Sequence, residues 1–169
     1  MKLAEYKETI QQPLRQATLC FLIRGNEVLL AMKKRGFGEG RWNGVGGKPN
    51  DGETIDVAAV RETREEIAVI LKNIKRKAYL DFYFPPNPDW NKQVVVYTAT
   101  DWEGEPQETD EMQPKWFSID EMPFDFMWPD DKHWLPHVLG GSNLKAEFLF
   151  GENDVILDFN VRKVESLSI

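Results

Sequence analysis

Between residues 47 and 69 the chain reads GKPNDGETIDVAAVRETREEIAV, and its carboxylates are spaced for chemistry. If the segment from Thr54 to Ile67 is helical, each residue advances by about 100 degrees, so Glu62, Glu65 and Glu66 share one face. Three carboxylates so close repel one another. A hard divalent cation turns that repulsion into a site, because magnesium takes oxygen ligands, keeps several waters, and is bound by one or two carboxylates together with substrate phosphates. Glutamates also decorate solvent faces simply because they form helices well. Against that plainer explanation stands the longer spacing of Gly47, Glu53, Arg61-Glu62 and Glu65-Glu66, which chance would assemble in roughly one chain in 10^5.

The approach to this segment is basic. KKRGFGEGRWNGVGGKP, from Lys33 to Pro49, carries Lys33, Lys34, Arg35, Arg41 and Lys48 against Glu39 alone. The whole chain has a formal net charge of -7, which argues against a broad footprint for a nucleic acid polymer. A compact basic loop on an acidic protein suits a small polyanion.

Stepping out to the elements, QATLCFLIRGNEVLLAMKK holds two apolar runs around Arg24-Gly25-Asn26, which predicts a hairpin of residues 16 to 24 with 27 to 33. A glycine-rich loop from Gly36 to Gly52 follows. Thr54 supplies a cap oxygen for a helix to about Ile67, a span without proline or glycine. KAYLDFYF and KQVVVYTAT read as strands around the loop PPNPDWN, and KWFSI is a further strand after the acidic connector DWEGEPQETDEMQ. FDFMWPDDKHWLPHVL predicts a turn at Trp128 to Asp131 and a helix capped by either aspartate, and LKAEFLFGENDVILDFNVRKVE a hairpin turning at Gly151 to Asp154. Strands, one central helix, more strands and a late helix indicate an α+β, or mixed α/β, sandwich. At 169 residues, 41% of them hydrophobic, the chain is expected to form one domain.

The single cysteine, Cys20, lies in the apolar run ATLCFLI, so no disulfide framework or cysteine metal site is available. The first residues, MKLAEYKETIQQPLRQ, mix both charge signs, and no apolar run approaches membrane-spanning length. A cytoplasmic monomer without membrane contact is expected.

The segment from Gly47 to Val69 resembles the Nudix box, the loop-helix signature of nucleoside diphosphate-linked hydrolases. Thr63 departs from that pattern where a bulky aliphatic residue is usual, and Ala68 where glycine is usual. The resemblance implies an α/β/α sandwich with a mixed sheet, a catalytic loop-helix and a late C-terminal helix. It also implies a magnesium-dependent pyrophosphohydrolase, with manganese as a substitute. Glu62, Glu65 and Glu66 would be metal ligands, helped by the carbonyl of Gly46 and an acid from a later loop, for which Glu111 in TDEMQPKWF is the candidate. Arg61 would tether Glu53 and steady the array. The general base is divided between Glu66 and Glu111. On the helix, Ile55, Ala59 and Thr63 form the row such a family would bury, leaving Val57, Val60 and Ile67 as a second ridge, expected to be at least partly a contact surface.

MKKRGFGEGRWNGVGGK, GETI, DEMQPKWF, PFDFMWPDD and ILDFNVRKVE together are similar to the oxidised purine nucleoside triphosphatases, the MutT-homologue branch acting on 8-oxo-dGTP and 2-hydroxy-dATP. This similarity runs from about Ala17 to Glu165, leaving residues 1 to 14 as an N-terminal extension. It implies that Asn43, Trp128, Asp130 and Asp131 read the base, with Thr18, Lys33 and Phe37 lining the same pocket and Phe82 or Phe84 adding a wall. A purine needs flat apolar walls and convergent polar groups, which these residues can provide. Adjacent carboxylates facing a desolvated base should not both be charged, so one of Asp130 and Asp131 is expected to hold a proton. The alternatives are another nucleotide or a nucleotide sugar such as ADP-ribose as substrate, or a nucleotide-binding module with little turnover.

Overall fold

In the computed structural model, which describes residues 1–167, the central strand is buried on both sides. This strand, β1 (Arg15–Arg24), runs parallel to β6 (Lys92–Ala99). Along β1, Phe21 enters one core with Leu80, Val96 and Phe148, whereas Cys20 and Leu22 enter another with Val95 and Tyr97. The two-residue side-chain period therefore feeds both faces, and a near-continuous apolar run is needed to do it. Helix α2 (Ile55–Ile67) covers the second core through Ala59 and Ile67. Helix α3 (Asp131–Leu139) covers the first through Trp134, Leu135 and Val138. The expected α/β/α sandwich with a mixed sheet follows.

Beyond β6 the sheet continues through β5 (Lys75–Tyr83), β9 (Asn143–Phe150) and β10 (Ile156–Val164). On the other side of β1 lie β2 (Glu27–Lys33) and β3 (Trp42–Asn43), while β8 (Met112–Ser118) pairs along β2. The predicted hairpin of β1 with β2 forms, but its ladder stops after Ile23 with Val28 and Arg24 with Glu27. Residues 42–47 are inserted between the two strands. Asn43 and Trp42 pair with Ala31 and Met32 of β2. On the β1 side, the Cys20 and Val45 amides donate to each other's carbonyls at 2.6 and 3.0 Å, and the Thr18 amide donates to the Gly47 carbonyl at 2.8 Å. The return leg of the glycine-rich loop is thus a wedge in the sheet, with Asn43 and Gly47 fixed only a few residues apart.

Thr54 caps α2, its hydroxyl accepting from the Val57 amide at 3.3 Å. The helix ends at Ala68 in the left-handed region, φ 61, with the Ala68 amide donating to the Arg64 carbonyl at 2.9 Å. Ala59 and Thr63 are fully buried, and the Thr63 hydroxyl donates to the Ala59 carbonyl at 2.9 Å, which lets a polar residue occupy an apolar position. The second ridge is part core and part surface: Ile67 is buried and Val60 packs on the core, while Val57 is exposed and stays open to a contact. It divides because the segment after the helix, β4 (Ile70–Lys72), and its partner β7 (Asp101–Glu103) close over the C-terminal end. β7 was not apparent in the acidic connector; it is held by Trp102 stacked on Trp116 at 5.9 Å. The N-terminal extension is also structured. Helix α1 (Leu3–Lys7) buries Leu3 and Tyr6 against Tyr83 and Leu149. No helix among the described residues is long and apolar enough to cross a membrane.

Candidate active site

The helix carries its carboxylates at graded depth. Glu66 is buried at 4% exposure, Glu62 is intermediate and Glu65 is exposed. Arg61 links the array to the preceding turn: its Nε and Nη2 donate to the two Glu53 oxygens at 2.8 Å each, and Nη2 also donates to the Lys48 carbonyl at 3.0 Å. Its Nη1 donates to Glu62 at 2.9 Å and Glu65 at 3.1 Å. One guanidinium therefore bridges three glutamates, and it holds the Glu53 carboxyl down at about 2. In this arrangement no group of three metal-ligating side chains among the described residues converges tightly enough to enclose an ion.

Glu66 is different. Burial, then the charges of Glu62 and Glu111, push its carboxyl up to about 8, against a backbone hydrogen bond from Gly46 and the charge of Lys33. Its Oε2 is buried without a hydrogen-bond partner. Glu111 is itself exposed, on the loop that docks on the end of α2 through Gln107 N–H to the Ile67 carbonyl (3.0 Å) and the Thr109 hydroxyl to the Glu66 carbonyl (2.8 Å). The glycine pair explains how backbone reaches this array. A Cβ on Gly47 would overlap the Glu62 carboxylate, and one on Gly46 would overlap the Thr18 backbone. Thr18, buried in β1, fixes the pair: its hydroxyl accepts from the Gly47 amide at 3.0 Å and donates to the Gly47 carbonyl at 3.2 Å.

On the other side of that glycine pair opens a cavity of about 450 Å³. Thr18, Lys33, Phe37, Asn43, Gly46, Phe82, Trp128, Asp130 and Asp131 all line it, with Phe84 beside Phe82. Its walls are aromatic. Phe37 stacks on Trp128 at 5.1 Å, and the Arg41 guanidinium lies 4.0 Å over the Trp128 ring while bonding Asp154 at 2.8 Å. Glu53, Arg61, Glu62, Glu65, Glu66 and Glu111 do not line the cavity; they stand behind Gly46 and Gly47.

Asp130 and Asp131 are 3% and 2% exposed. Asp130 occupies the cap position of α3 but makes no capping bond, contrary to the sequence expectation. Its Oδ2 instead accepts from the Trp134 indole N–H at 2.8 Å, a buried donor that competes successfully for the carboxylate. Burial raises both carboxyls, and the Asp130 charge raises Asp131 further, so the pair shares a proton that the indole bond to Asp130 directs toward Asp131. The Asp131 Oδ2 has no partner within the protein. The buried side-chain polar atoms without partners among the described residues are this oxygen and Arg41 Nη1, both on residues lining the cavity, and Glu66 Oε2 behind the glycine pair. Buried polar groups are normally satisfied, so such a grouping marks where a polar ligand completes the bonding.

Trp90 and Lys92 also line the cavity without having been expected there, and Arg41, expected only as part of the basic loop, joins its wall. Trp90 stands edge-on to Phe37 at 4.9 Å. The aromatic within the proline-rich loop PPNPDWN was the available signal, since a large ring in a polar loop needs something to pack against.

A family profile described as the NUDIX domain matches residues 13–138. The chain is 40% identical over 149 residues to the oxidized purine nucleoside triphosphate hydrolase of Mus musculus, covering 88% of this chain and 95% of that relative. It is 42% identical over 150 residues to the protein of the same description from Danio rerio, covering 89% and 96% respectively. Among solved structures, a mutator MutT protein from Bacillus halodurans superposes with a TM-score of 0.77 at 27% identity, covering 88% of this chain and 97% of that one.

Proposed function

The chain belongs to the Nudix hydrolase family, and we propose that it cleaves oxidised purine nucleoside triphosphates, such as 8-oxo-dGTP and 2-hydroxy-dATP, to the monophosphate and pyrophosphate with magnesium. The observation that carries this reading is a buried pair of aspartates, one holding a proton, in an aromatic cavity that ends at the glycine pair backing onto the carboxylate helix. A base and its phosphates need those two environments side by side.

The residues fit a hard divalent cation. Glu62, Glu65, Glu66, Glu111 and the Gly46 carbonyl form an all-oxygen donor set, and the buried Glu66 Oε2 lacks any protein partner. When bound, the cation supplies charge neutralisation at the phosphates and a lower pKa for the attacking water. Arg61 keeps Glu53, Glu62 and Glu65 in register. Glu66, once a cation offsets the burial and neighbouring charges that raise its carboxyl, or Glu111 beside it takes the proton of the attacking water. Lys33 and Lys48, both lining the cavity, draw in the phosphate chain. Trp128, Phe37 and Phe82 form walls for the purine, while Asn43, Asp130 and Asp131 offer hydrogen bonds to its edge. A proton on Asp131 lets the pair present one donor and several acceptors, so that two oxidised purines can share one pocket.

Residues 1–169 are read as a single domain acting as a monomer in the cytoplasm, clearing damaged precursors from the nucleotide pool. The test is product release from 8-oxo-dGTP, 2-hydroxy-dATP, dGTP, dATP and ADP-ribose with magnesium, with Glu66→Gln as control. Pyrophosphate from the oxidised purines at far higher kcat/KM than from dGTP is expected; preference for ADP-ribose would overturn the substrate assignment.

A further inference from the structure

We propose that Lys92 is a specificity-determining residue of the base pocket: its ammonium donates a hydrogen bond to a ring carbonyl of the oxidised purine and disfavours an amino group at that place. The inference rests on the oxidised-purine reading above and names the base chemistry that reading requires.

Lys92 opens β6, paired with Arg15 on one side and Phe82 on the other. It shares a sheet face with Val94, two residues on, which packs into the α3-side core, so its side chain rises beside Phe82 into the cavity it lines. Its Nζ lies 4.7 Å over the Phe37 ring, and Phe37 in turn stacks on Trp128. A base lying against this aromatic wall meets that ammonium.

The ammonium is also uncommitted. Lys7, Lys34 and Lys72 each pair with a carboxylate, whereas Lys92 makes no hydrogen bond or ion pair among the described residues. Burial, followed by the charges of Lys48 and Lys33, lowers its pKa, and Asp130 opposes that trend. A half-buried lysine against an aromatic face has donors free for an acceptor on a ligand. It has three donors and no acceptor capacity, so a base carbonyl satisfies it and an exocyclic amino group does not. Sites built around such a bond reject analogues lacking the partner more strongly than apolar pockets reject small changes in size.

The experiment compares unaltered protein with Lys92→Met, a chain of similar length without the charge, in binding 8-oxo-dGMP, dGMP and 8-oxo-dAMP without metal. All three carry the same phosphate, so a phosphate contact cancels in the comparison. The expected result is binding of 8-oxo-dGMP weakened at least tenfold. The loss should vanish for dGMP if the carbonyl at C8 is read, or for 8-oxo-dAMP if the carbonyl at C6 is read. Lys92→Arg, which keeps a donor, should retain most of the discrimination and serves if Lys92→Met does not fold. Equal weakening for all three ligands would make Lys92 a phosphate contact and overturn the proposal, as would no weakening at all. Turnover of 8-oxo-dGTP by the unaltered protein, measured first, tests the oxidised-purine reading independently; without turnover or binding there, both fall.

Discussion

Arg61 grips Glu53 through two parallel hydrogen bonds of 2.8 Å across the turn that leads into α2, and its remaining nitrogen reaches Glu62 and Glu65. A planar fork can hold Glu53 bidentately and still reach the other two carboxylates; the compact ammonium of lysine cannot reproduce that geometry. Arg61→Lys should therefore lower kcat by roughly 10- to 100-fold, as loss of an orienting partner does at metal sites, while the KM for nucleotide stays within about threefold. Steady-state kinetics at saturating magnesium would show the split.

Glu66 and Glu65 should differ sharply in consequence. Glu66 is buried with an unpartnered oxygen, whereas Glu65 is exposed. Glu66→Gln is expected to reduce kcat by about 10^2-fold or more, the range for losing a group that handles a proton. Glu65→Gln should cost distinctly less. Matched kcat values for the two variants would contradict the depth argument.

Ala68 sits at φ 61, where a Cβ is strained. Ala68→Gly should raise stability by about 1 kcal/mol, or roughly 2 to 4 °C in Tm for a chain of this size. A thermal melt at neutral pH reads the change, and activity should be untouched.

The Asp131 carboxyl is raised in the folded state by burial and by Asp130, while the Lys92 charge opposes the rise at Asp130. The folded protein thus holds a proton that the unfolded chain releases above the ordinary carboxylate range. The associated stability is complete below that range and is lost as pH rises toward the folded value. Asp131→Asn keeps a donor but has no proton to lose, so its melting temperature should vary less with rising pH than that of the unaltered protein. Product affinity without metal should follow the same pattern.

Tyr6 ties the N-terminal extension to the cavity. Its hydroxyl accepts from Asn91 Nδ2 at 3.1 Å, and Asn91 Oδ1 accepts from the Phe84 amide at 2.6 Å, which fixes the loop carrying Trp90. Tyr6→Phe should raise KM for an oxidised purine substrate by about threefold, corresponding to one modest hydrogen bond, with kcat unchanged.

The fold was legible where the pattern was long and local. The two apolar runs around Arg24-Gly25-Asn26 announced β1 and β2, and Thr54 with a breaker-free stretch announced α2. Fixed spacing likewise brought forward Arg61 with Glu53, because a helix and the turn before it are local geometry. Pairings formed at long range were not legible. DWE becomes β7 only because Trp102 finds Trp116, and the extension folds back only because Tyr6 finds Tyr83 and Asn91. Asp130 read as a helix cap since nothing in WPDD foretold that Trp134, one turn along, would offer its indole N–H. Lys92 was hidden at the start of a strand whose apolar run, Val94 to Tyr97, is plainly core.

The wedge of residues 42–47 has a consequence for how the protein is assembled. β1 and β2 cannot zip outward from the turn at Gly25, because Val45 and Gly47 hold the backbone partners of Cys20 and Thr18 further along. Closure of the sheet therefore waits for the glycine-rich loop to return, and that same event delivers Asn43 and the glycine pair together. A preparation can be compact, helical and soluble yet catalytically unassembled if this insertion has not occurred. Amide exchange at Cys20 and Val45, rather than far-ultraviolet circular dichroism, is the assay that distinguishes the two populations.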